Sequence, residues 1–456
     1  MNNASSRKGF TSLPLWERAI WALVLLGFLL ANEAADQYPR VIITVFAFTL
    51  LVFCVRVFYG HGGRVATPLG IWVLMVGFTG GYAGLVGVGD DRVTAVSLAT
   101  ALYLLFLQTF GITLIAWGSD IKDRPQLPEW FTGVTILWLV SWITLGIAIV
   151  LTQVASRLGA VGEGIGFAAI VTMSLSAWAK PKAQLLSGQS AGIILAMFLY
   201  VFLLHSGSGR LRIVALGVCV FIVATIQFRN MNLKLVGLVL LPLMLVGLAS
   251  YRLWVISRQT GAEEGRTGLE SLTDPIVAFA DLVQNQSMGT FIPRGFGNLL
   301  TPIAGLLPDS VDVPSALGYE LVSVWRPESY GTDYSAAATV AGEWFWMGGS
   351  LGVIISIPLL GSLLRILDII VAHAAARFIK SFAWTLGLGC FIVLAGGLGD
   401  LVWGGGHVYI YRAVIRVLVI VGLLSFTMLA RAVALKELSL DIREIPTAQS
   451  RRRAVA

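Results

Sequence analysis

The chain has 456 residues, of which 57% are hydrophobic and 12% are charged, and its mean hydropathy is +0.82. A soluble domain carries about 25% charged residues, so this composition excludes a water-soluble globular protein. The net charge of +7 does not indicate a nucleic-acid-binding protein, because the basic residues lie between apolar runs rather than in one patch.

Apolar runs long enough to cross a bilayer recur along the sequence. Lipid cannot satisfy exposed backbone groups, so each run should form a helix. We therefore predict an all-α polytopic membrane protein with about 12 transmembrane helices. The predicted spans are 19–31, 41–58, 68–88, 94–117, 131–152, 164–179, 189–206, 213–227, 235–250, 344–363, 382–399 and 410–430.

The first apolar run also has features of a signal peptide. The second run begins only nine residues after the first one ends, which favours an uncleaved first span.

Four parts follow from these spans. Residues 1–250 form the transmembrane bundle of spans 1 to 9, and residues 251–343 form one large external loop. Residues 344–430 hold spans 10 to 12, and residues 431–456 form a basic cytoplasmic tail. This unequal division lacks the two similar halves of the commonest twelve-span transporters.

The orientation follows from the basic residues of the short connections, which accumulate on one side of the predicted bundle. The positive-inside rule places that side, and both termini, in the cytoplasm. All seven lysines then lie on the cytoplasmic side, whereas every basic residue on the outer side is an arginine. Arginine binds phosphate and carboxylate groups with two parallel hydrogen bonds, so this bias favours an outward-facing anion site; codon bias is the alternative explanation.

The large loop of residues 251–343 is much longer than the roughly 15 residues beyond which a loop is usually functional. Its stretch "LESLTDPIVAFADLVQNQ" has helical apolar spacing and predicts an amphipathic helix on the membrane surface. The following "FIPRGFGNLLTPIAGLLPDSVDVP" contains four prolines and predicts an ordered coil that leads towards span 10.

One segment of this region, from Phe291 to Leu364, contains short motifs in a recognisable order, from "PR" to "GE". It reads "IPRGFGN…SYGTDYSAAATVAGEWFWMGGSLGVIISIPLLG". With its long late external loop, it resembles the Wzy-type O-antigen and exopolysaccharide polymerases, which join oligosaccharide repeat units. It departs from that family in having "NLLTP" where a lysine-proline is common, and "WFWMGG" where Asn-Phe-Gly is usual.

The resemblance implies a membrane glycosyltransferase in the bacterial cytoplasmic (inner) membrane, with the large loop outside. Its substrate would be a glycan on a polyprenyl diphosphate such as undecaprenyl diphosphate, polymerised on the outer face during polysaccharide biosynthesis for the cell envelope. Membrane lipids, a flippase and a chain-length regulator would be its partners, and it would need no nucleic acid, cofactor or metal.

The cysteines Cys54, Cys219 and Cys390 lie in apolar runs and are predicted to be packing residues.

Arginines are the candidate ligands for the diphosphate and the glycan. Arg294 lies between Pro293 and Gly295, and its alternative partner is an acid of the same loop. Arg412 and Arg416 share one face of the last span, where they require either Asp400 or a bound phosphate as partner. The remaining candidates lie in the loop and include two aromatic residues that could pack a sugar ring: Arg258, Trp325, Arg326 and Tyr330.

Carboxylates are the candidate general bases for the acceptor hydroxyl. Glu343 is the first candidate, followed by Asp333 and Glu328. A carboxylate at a helix N-terminus is also favourable without any catalytic role, which is the alternative for Glu343. His407, in the predicted "GGGH" loop, is a candidate proton-transfer group, and a solvated histidine is the alternative.

Three other functions compete with the polymerase. An O-antigen-ligase-like glycan transferase has a similar plan, but such ligases rely on a histidine in the large loop, and residues 251–343 contain none. A transporter or flippase of lipid-linked glycans would favour symmetric halves. Cell-wall glycan polymerases of the shape, elongation and division type share the architecture without the "PR…GE" order.

Overall fold

The computed structural model describes residues 13–88, 91–117, 134–154, 159–178, 184–205, 211–228, 231–240, 243–244, 246–247, 250, 272–291, 293–306, 317–325, 336–376 and 382–444. All regular structure in these ranges is helical, with 3₁₀ turns at Asn32–Ala35 and Phe296–Leu306. The helices are α1 (Leu15–Ala31), α2 (Pro39–Gly60), α3 (Pro68–Val86), α4 (Ala95–Ala116), α5 (Val134–Val154), α6 (Gly159–Trp178), α7 (Gly188–Leu204), α8 (Leu211–Gln227), α9 (233–240), α10 (Asp274–Ser287), α11 (Leu317–Trp325), α12 (Thr339–Ala376), α13 (Phe382–Gly396) and α14 (Leu398–Glu444).

Eight helices of the described ranges are long and apolar enough to cross a membrane. They are α1 to α6, α12 and α14, and the apolar helices α7, α8 and α13 are shorter. The chain is therefore an all-α membrane protein, as its composition predicts. The number of about 12 spans stays a prediction, because α9 and the residues after it are described only in part.

Local sequence explains where several of these helices begin. Proline occupies the first helical position of α2 and of α3, where its missing N–H costs nothing. Side-chain oxygens cap three helices: Thr67 accepts the N–H of Gly70, while Thr94 and Ser187 do the same for α4 and α7. At these helix starts, the local residue either accepts an otherwise unpaired backbone N–H or, as proline, lacks one.

Two helices lie at the centre of the bundle. The apolar windows of α3 and α6 are 83% and 89% buried, whereas those of α1 and α5 are only 17% and 22% buried. Helix α6 packs against α5, α8 and α14, and α4 packs against α12. The exposed apolar faces of α1 and α5 are suited to lipid, and the polar groups of α6 and α14 are directed inside the protein.

Helix α10 differs from its prediction as a helix on the membrane surface. Its residues 275–280 and Leu282 are buried, and the helix packs against α4 and α12. Polar contacts also attach it to the turn before α4, since Arg92 pairs with Asp274 and the Thr94 N–H donates to Gln284. The apolar face that sequence analysis directed towards lipid is covered by protein instead.

Two helices are interrupted. Helix α12 breaks at Gly348 and Gly349, and the latter has φ 62° and ψ −152°. Helix α14 breaks at Gly405, with φ 82° and ψ −175°. Backbone in this region is accessible essentially to glycine alone. Both helices also begin earlier than predicted, so that Glu343, Asp400 and His407 lie within them rather than in loops.

Candidate functional site

The break at Gly405 brings Asp400 against the arginines that follow it. Twelve residues along a straight helix would span about 18 Å. Nevertheless, Arg412 Nη1 donates to Asp400 Oδ1 at 2.5 Å, and Arg416 Nη1 donates to Asp400 Oδ2 at 3.4 Å. The short helical segment before the break therefore folds back alongside the long one, and one carboxylate holds both guanidinium groups.

Arg416 is the more deeply placed of the two arginines. Its side chain is 4% exposed, against 18% for Arg412. The Arg416 guanidinium lies over the ring of Phe167 on α6, 4.1 Å from its centroid, which adds a cation–π contact to the ion pair. Arg416 therefore does not snorkel to the surface; it is fixed between α6 and the folded segment.

A second ionic group faces this one from α6, α7 and α8. Glu163 Oε2 accepts a hydrogen bond from Arg212 Nη1, and Glu163 Oε1 is 3.1 Å from His205 Nδ1 and 3.3 Å from the Tyr200 hydroxyl. The Glu163 side chain is only 4% exposed. Three neighbouring helix ends thus converge on one buried carboxylate.

The two ionic groups line one cavity, which is partly open to the surroundings. Its surroundings contain three guanidinium groups, from Arg212, Arg412 and Arg416, and two carboxylates, from Glu163 and Asp400, which leaves one positive charge in excess. Arg212 Nε is buried without a hydrogen-bond partner among the described residues. The cavity is lined by Glu163, Gly164, Tyr200, Arg212, Tyr411, Arg412, Ile415 and Arg416. It is suited to an anion that accepts several hydrogen bonds.

Glu343 lies at a different place, where α12 contacts the break in α14. Its Oε2 accepts the N–H of Gly406 at 2.7 Å, and the N–H of His407 also bonds the carboxylate. Glu343 thus caps the N-terminus of the long segment of α14 from a neighbouring helix. This contact assigns Glu343 a structural role, whatever further role it has.

His407 and Arg294 belong to the loop side of this junction. His407 has a hydrogen bond with the backbone of Thr301 in the 3₁₀ turn, and its ring lies 6.5 Å from that of Tyr319. The N–H groups of Arg294 and Gly295 donate to the carbonyls of Trp346 and Met347, at the end of the first segment of α12. The turn at Arg294 therefore caps the interrupted helix.

The Arg294 side chain takes the loop acid as its partner. Its Nε lies 3.5 Å from Glu320 Oε2, and the side chain is 59% exposed. Among the described contacts, those of Arg294 are with α11 and α12, and those of Arg412 and Arg416 are with Asp400, Phe167 and the cavity. The structure thus brings Arg412 and Arg416 together, and it places Arg294 in another group.

The other candidates of the loop lie outside the described residues. These are Arg258, Arg326, Glu328, Tyr330 and Asp333. Trp325 ends α11, and its side chain is also outside the description. Among the described residues, no group of three or more His, Cys, Asp or Glu side chains is placed to hold a metal ion.

A third ionic group lies at the end of the bundle that the charges predict to be cytoplasmic. Lys234, with 1% exposure, donates to the carbonyls of Phe58 and His61 at the end of α2. Asp368 accepts the N–H of Leu69 at the start of α3 and lies 3.5 Å from His61 Nε2. Lys234 thus stabilises the C-terminus of α2, and Asp368 stabilises the N-terminus of α3. Each charge is opposite in sign to the end of the helix dipole that it contacts, which is favourable.

The sequence pattern did not indicate Glu163, Tyr200, His205 or Arg212 as candidate site residues. The predicted spans begin at residues 164 and 213, which leaves Glu163 and Arg212 just outside them. Helices α6 and α8 begin at Gly159 and Leu211, which places both charges inside helices. An ionisable residue within a span is a candidate functional residue by default, so correct helix boundaries would have drawn attention to this pair.

Comparison with known proteins gives no family for the chain. No protein-family model matches it, and neither a curated protein nor a solved structure matches it.

Proposed function

We propose that the chain is a membrane glycosyltransferase that polymerises oligosaccharide repeat units carried on polyprenyl diphosphate. The reaction would take place at the outer face of the bacterial cytoplasmic membrane and would produce a surface polysaccharide. The observation that carries this proposal is the cavity in which Arg212, Arg412 and Arg416 surround one space. The family resemblance of residues 291–364 supplies the substrate class.

The chemistry of that substrate suits the cavity. A diphosphate gains negative charge as it leaves the anomeric carbon, and prepositioned guanidinium groups stabilise that charge in the transition state. Asp400 holds Arg412 and Arg416 in place before the substrate arrives. Because these arginines need little reorganisation, their interaction with the leaving group is strongest when the bond breaks.

A binding experiment tests the diphosphate site. The purified protein in nanodiscs is titrated with undecaprenyl diphosphate, and the variants Arg212→Gln and Arg412→Gln are compared with it. Each loss of a charge-assisted hydrogen bond should weaken binding about tenfold to a hundredfold. Arg56→Gln is the matched control, since Arg56 pairs with Glu17 at the other predicted end of the bundle. Equal binding by all four proteins would contradict the proposal.

A cellular experiment tests the reaction itself. Deletion of the gene should leave single repeat units on the lipid carrier and remove long surface chains. Re-expression of the Arg412→Gln variant should reproduce the deletion, whereas Arg56→Gln should restore long chains. Long chains at normal abundance in the deletion strain would show that another protein polymerises the glycan.

A transporter or flippase of lipid-linked glycans is the second candidate. Two interrupted helices meet at Glu343 and Gly406, and discontinuous helices are typical of transporter binding sites. The buried charges Lys234 and Asp368 at the opposite end also suit a pathway through the bundle. Proteoliposomes distinguish the two functions: a flippase moves a fluorescent lipid-linked glycan between leaflets without elongating it, and a polymerase elongates it.

A further inference from the structure

We infer that Glu163 is the general base that removes the proton from the acceptor hydroxyl. The inference rests on the proposed function, which supplies the acceptor and the leaving diphosphate. It identifies a catalytic residue on α6, outside the large loop in which sequence analysis placed most of the candidate bases.

The position of Glu163 is the first argument. A base for this reaction has to lie beside the anomeric carbon, and the diphosphate on that carbon has to lie beside the arginines. Glu163 lines the same cavity as Arg212, Arg412 and Arg416. Asp400, the other carboxylate that pairs with these arginines, is fully buried and does not line the cavity. Only one of the two carboxylates is therefore placed to reach a substrate there.

The free acceptor capacity of Glu163 is the second argument. A carboxylate has about four lone-pair positions. On Oε1, two are used by the Tyr200 hydroxyl and His205 Nδ1, and on Oε2, one is used by Arg212. Among the contacts of the described residues, one position on Oε2 therefore remains for a hydroxyl group. His205 and Tyr200 are positioning residues, since they fix the plane of the carboxylate from behind.

The step balances without any further reactant. The acceptor hydroxyl oxygen forms a bond to the anomeric carbon of the donor, and the bond from that carbon to the diphosphate oxygen breaks. The diphosphate leaves with the electron pair and is stabilised by the arginines, while the hydroxyl proton passes to Glu163 Oε2. The products are one longer glycan on its lipid carrier, one polyprenyl diphosphate and one proton, which Glu163 later releases to water.

Glu343 is less suited to the same task. Its Oε2 accepts the N–H of Gly406, and the carboxylate also bonds the N–H of His407. A proton on this carboxylate would weaken the cap of α14, because a neutral carboxyl is a weaker acceptor than a carboxylate. Among its described contacts, Glu163 bonds only side chains, so it does not cap a helix as Glu343 does.

The decisive experiment separates turnover from binding in the variant Glu163→Gln. Turnover is measured with lipid-linked repeat units isolated from cells in which the gene has been deleted, and binding is measured with undecaprenyl diphosphate in nanodiscs. Loss of a general base should lower turnover by about 10²- to 10⁴-fold. Binding should stay equal or become tighter, because a negative charge has been removed from beside the diphosphate.

Two other carboxylate variants provide controls. Asp400→Asn should weaken the binding of undecaprenyl diphosphate, since Asp400 holds Arg412 and Arg416 without lining the cavity. Glu17→Gln removes a buried carboxylate paired with an arginine at the other predicted end and should change neither quantity. The pH dependence of turnover is a further readout, since the Glu163→Gln variant should lose the acidic limb of the wild-type profile.

The outcomes distinguish the base from the wider proposal. Full turnover by Glu163→Gln, while Arg412→Gln remains inactive, would refute the base and leave the polymerase proposal intact. Weakened binding by Glu163→Gln, equal to that of Arg212→Gln, would show that Glu163 only anchors Arg212. Absence of polymerisation and of undecaprenyl diphosphate binding by the wild-type protein would overturn the proposed function itself.

Discussion

The Glu343 carboxylate accepts the backbone N–H of Gly406 at 2.7 Å, and so a side chain of α12 caps the interrupted helix α14. The residue before this contact, Gly405, has φ 82° and lies so close that a Cβ would meet the Glu343 carboxyl carbon at 2.6 Å. The break in one helix and the carboxylate of the other thus form a single joint. The joint sets the direction in which α14 leaves the junction, and with it the position of Arg412 and Arg416.

Replacement of Gly405 by alanine tests this joint. The backbone angles of Gly405 cost a residue with a side chain about 1–3 kcal/mol, and the added Cβ would also displace Glu343. We expect a lower melting temperature in detergent and weaker binding of undecaprenyl diphosphate, because the arginines move with α14. Gly422→Ala in the same helix is the control, since no atom lies within 4 Å of its added Cβ. Similar melting temperatures for both variants would contradict the role of the joint.

Neutralisation of Asp400 should destabilise the protein, because two arginine side chains would lose the negative charge that they pair with. Asp400→Asn leaves Arg412 and Arg416 without their carboxylate, and Arg416 is 4% exposed. Removal of one partner from a buried ion pair costs about 3–5 kcal/mol. The double variant Asp400→Asn with Arg416→Gln should lose less than the sum of the two single variants. Thermal unfolding measures this coupling, and strictly additive losses would show that the pair makes no net interaction.

Variants of Arg294 and Glu320 show whether Arg294 binds the substrate or only contacts an acid of its own loop. An exposed ion pair contributes about 0–1 kcal/mol, so neither Arg294→Ala nor Glu320→Ala should change the melting temperature appreciably. If Arg294 binds substrate, Arg294→Ala should abolish long polymer chains and Glu320→Ala should preserve them. The length distribution of surface polysaccharide measures this difference. Equal effects of the two variants would show that Arg294 acts only through its partner.

His61 should make the stability of the protein sensitive to acid. Burial, with a smaller contribution from Lys234, lowers the pKa of His61 from 6.5 to about 3. The folded protein therefore keeps the imidazole neutral where the unfolded chain takes a proton, so stability falls as the pH drops below 6.5 and towards 3. At pH 5 this loss should reach about 2 kcal/mol.

The variant His61→Gln tests that assignment. It keeps a polar side chain beside Thr67 but has no proton to gain, so its melting temperature should depend less on pH between pH 7 and 5 than that of the wild type. If the melting temperature depends on pH equally in both proteins, the acid sensitivity belongs to groups other than His61. Lys234 and Asp368 face His61 from α9 and α12, and they are present in both proteins.

The sequence alone determined the class of the protein and the approximate place of most helices. Lipid forces each apolar run to satisfy its own backbone, so hydropathy predicts where helices lie, while the number of about 12 spans stays a prediction. The sequence also indicated that Arg412 and Arg416 need a partner, either Asp400 or a bound phosphate, because charges in a span require partners. For α10 the apolar spacing predicted the helix, but it could not tell a lipid surface from the protein surface formed by α4 and α12.

Only the tertiary structure decided which charges share a site. Glu163 and Arg212 are 49 residues apart, and Asp400 meets Arg412 only because Gly405 reverses the chain. Hydropathy carries no information about the rotation of one helix against another or about a break at a single glycine. The same reason applies to Arg294, whose pairing with Glu320 depends on how the loop folds back onto the end of α12. Which residues line the cavity therefore depends on how the helices pack, because packing brings together residues that are distant in the sequence.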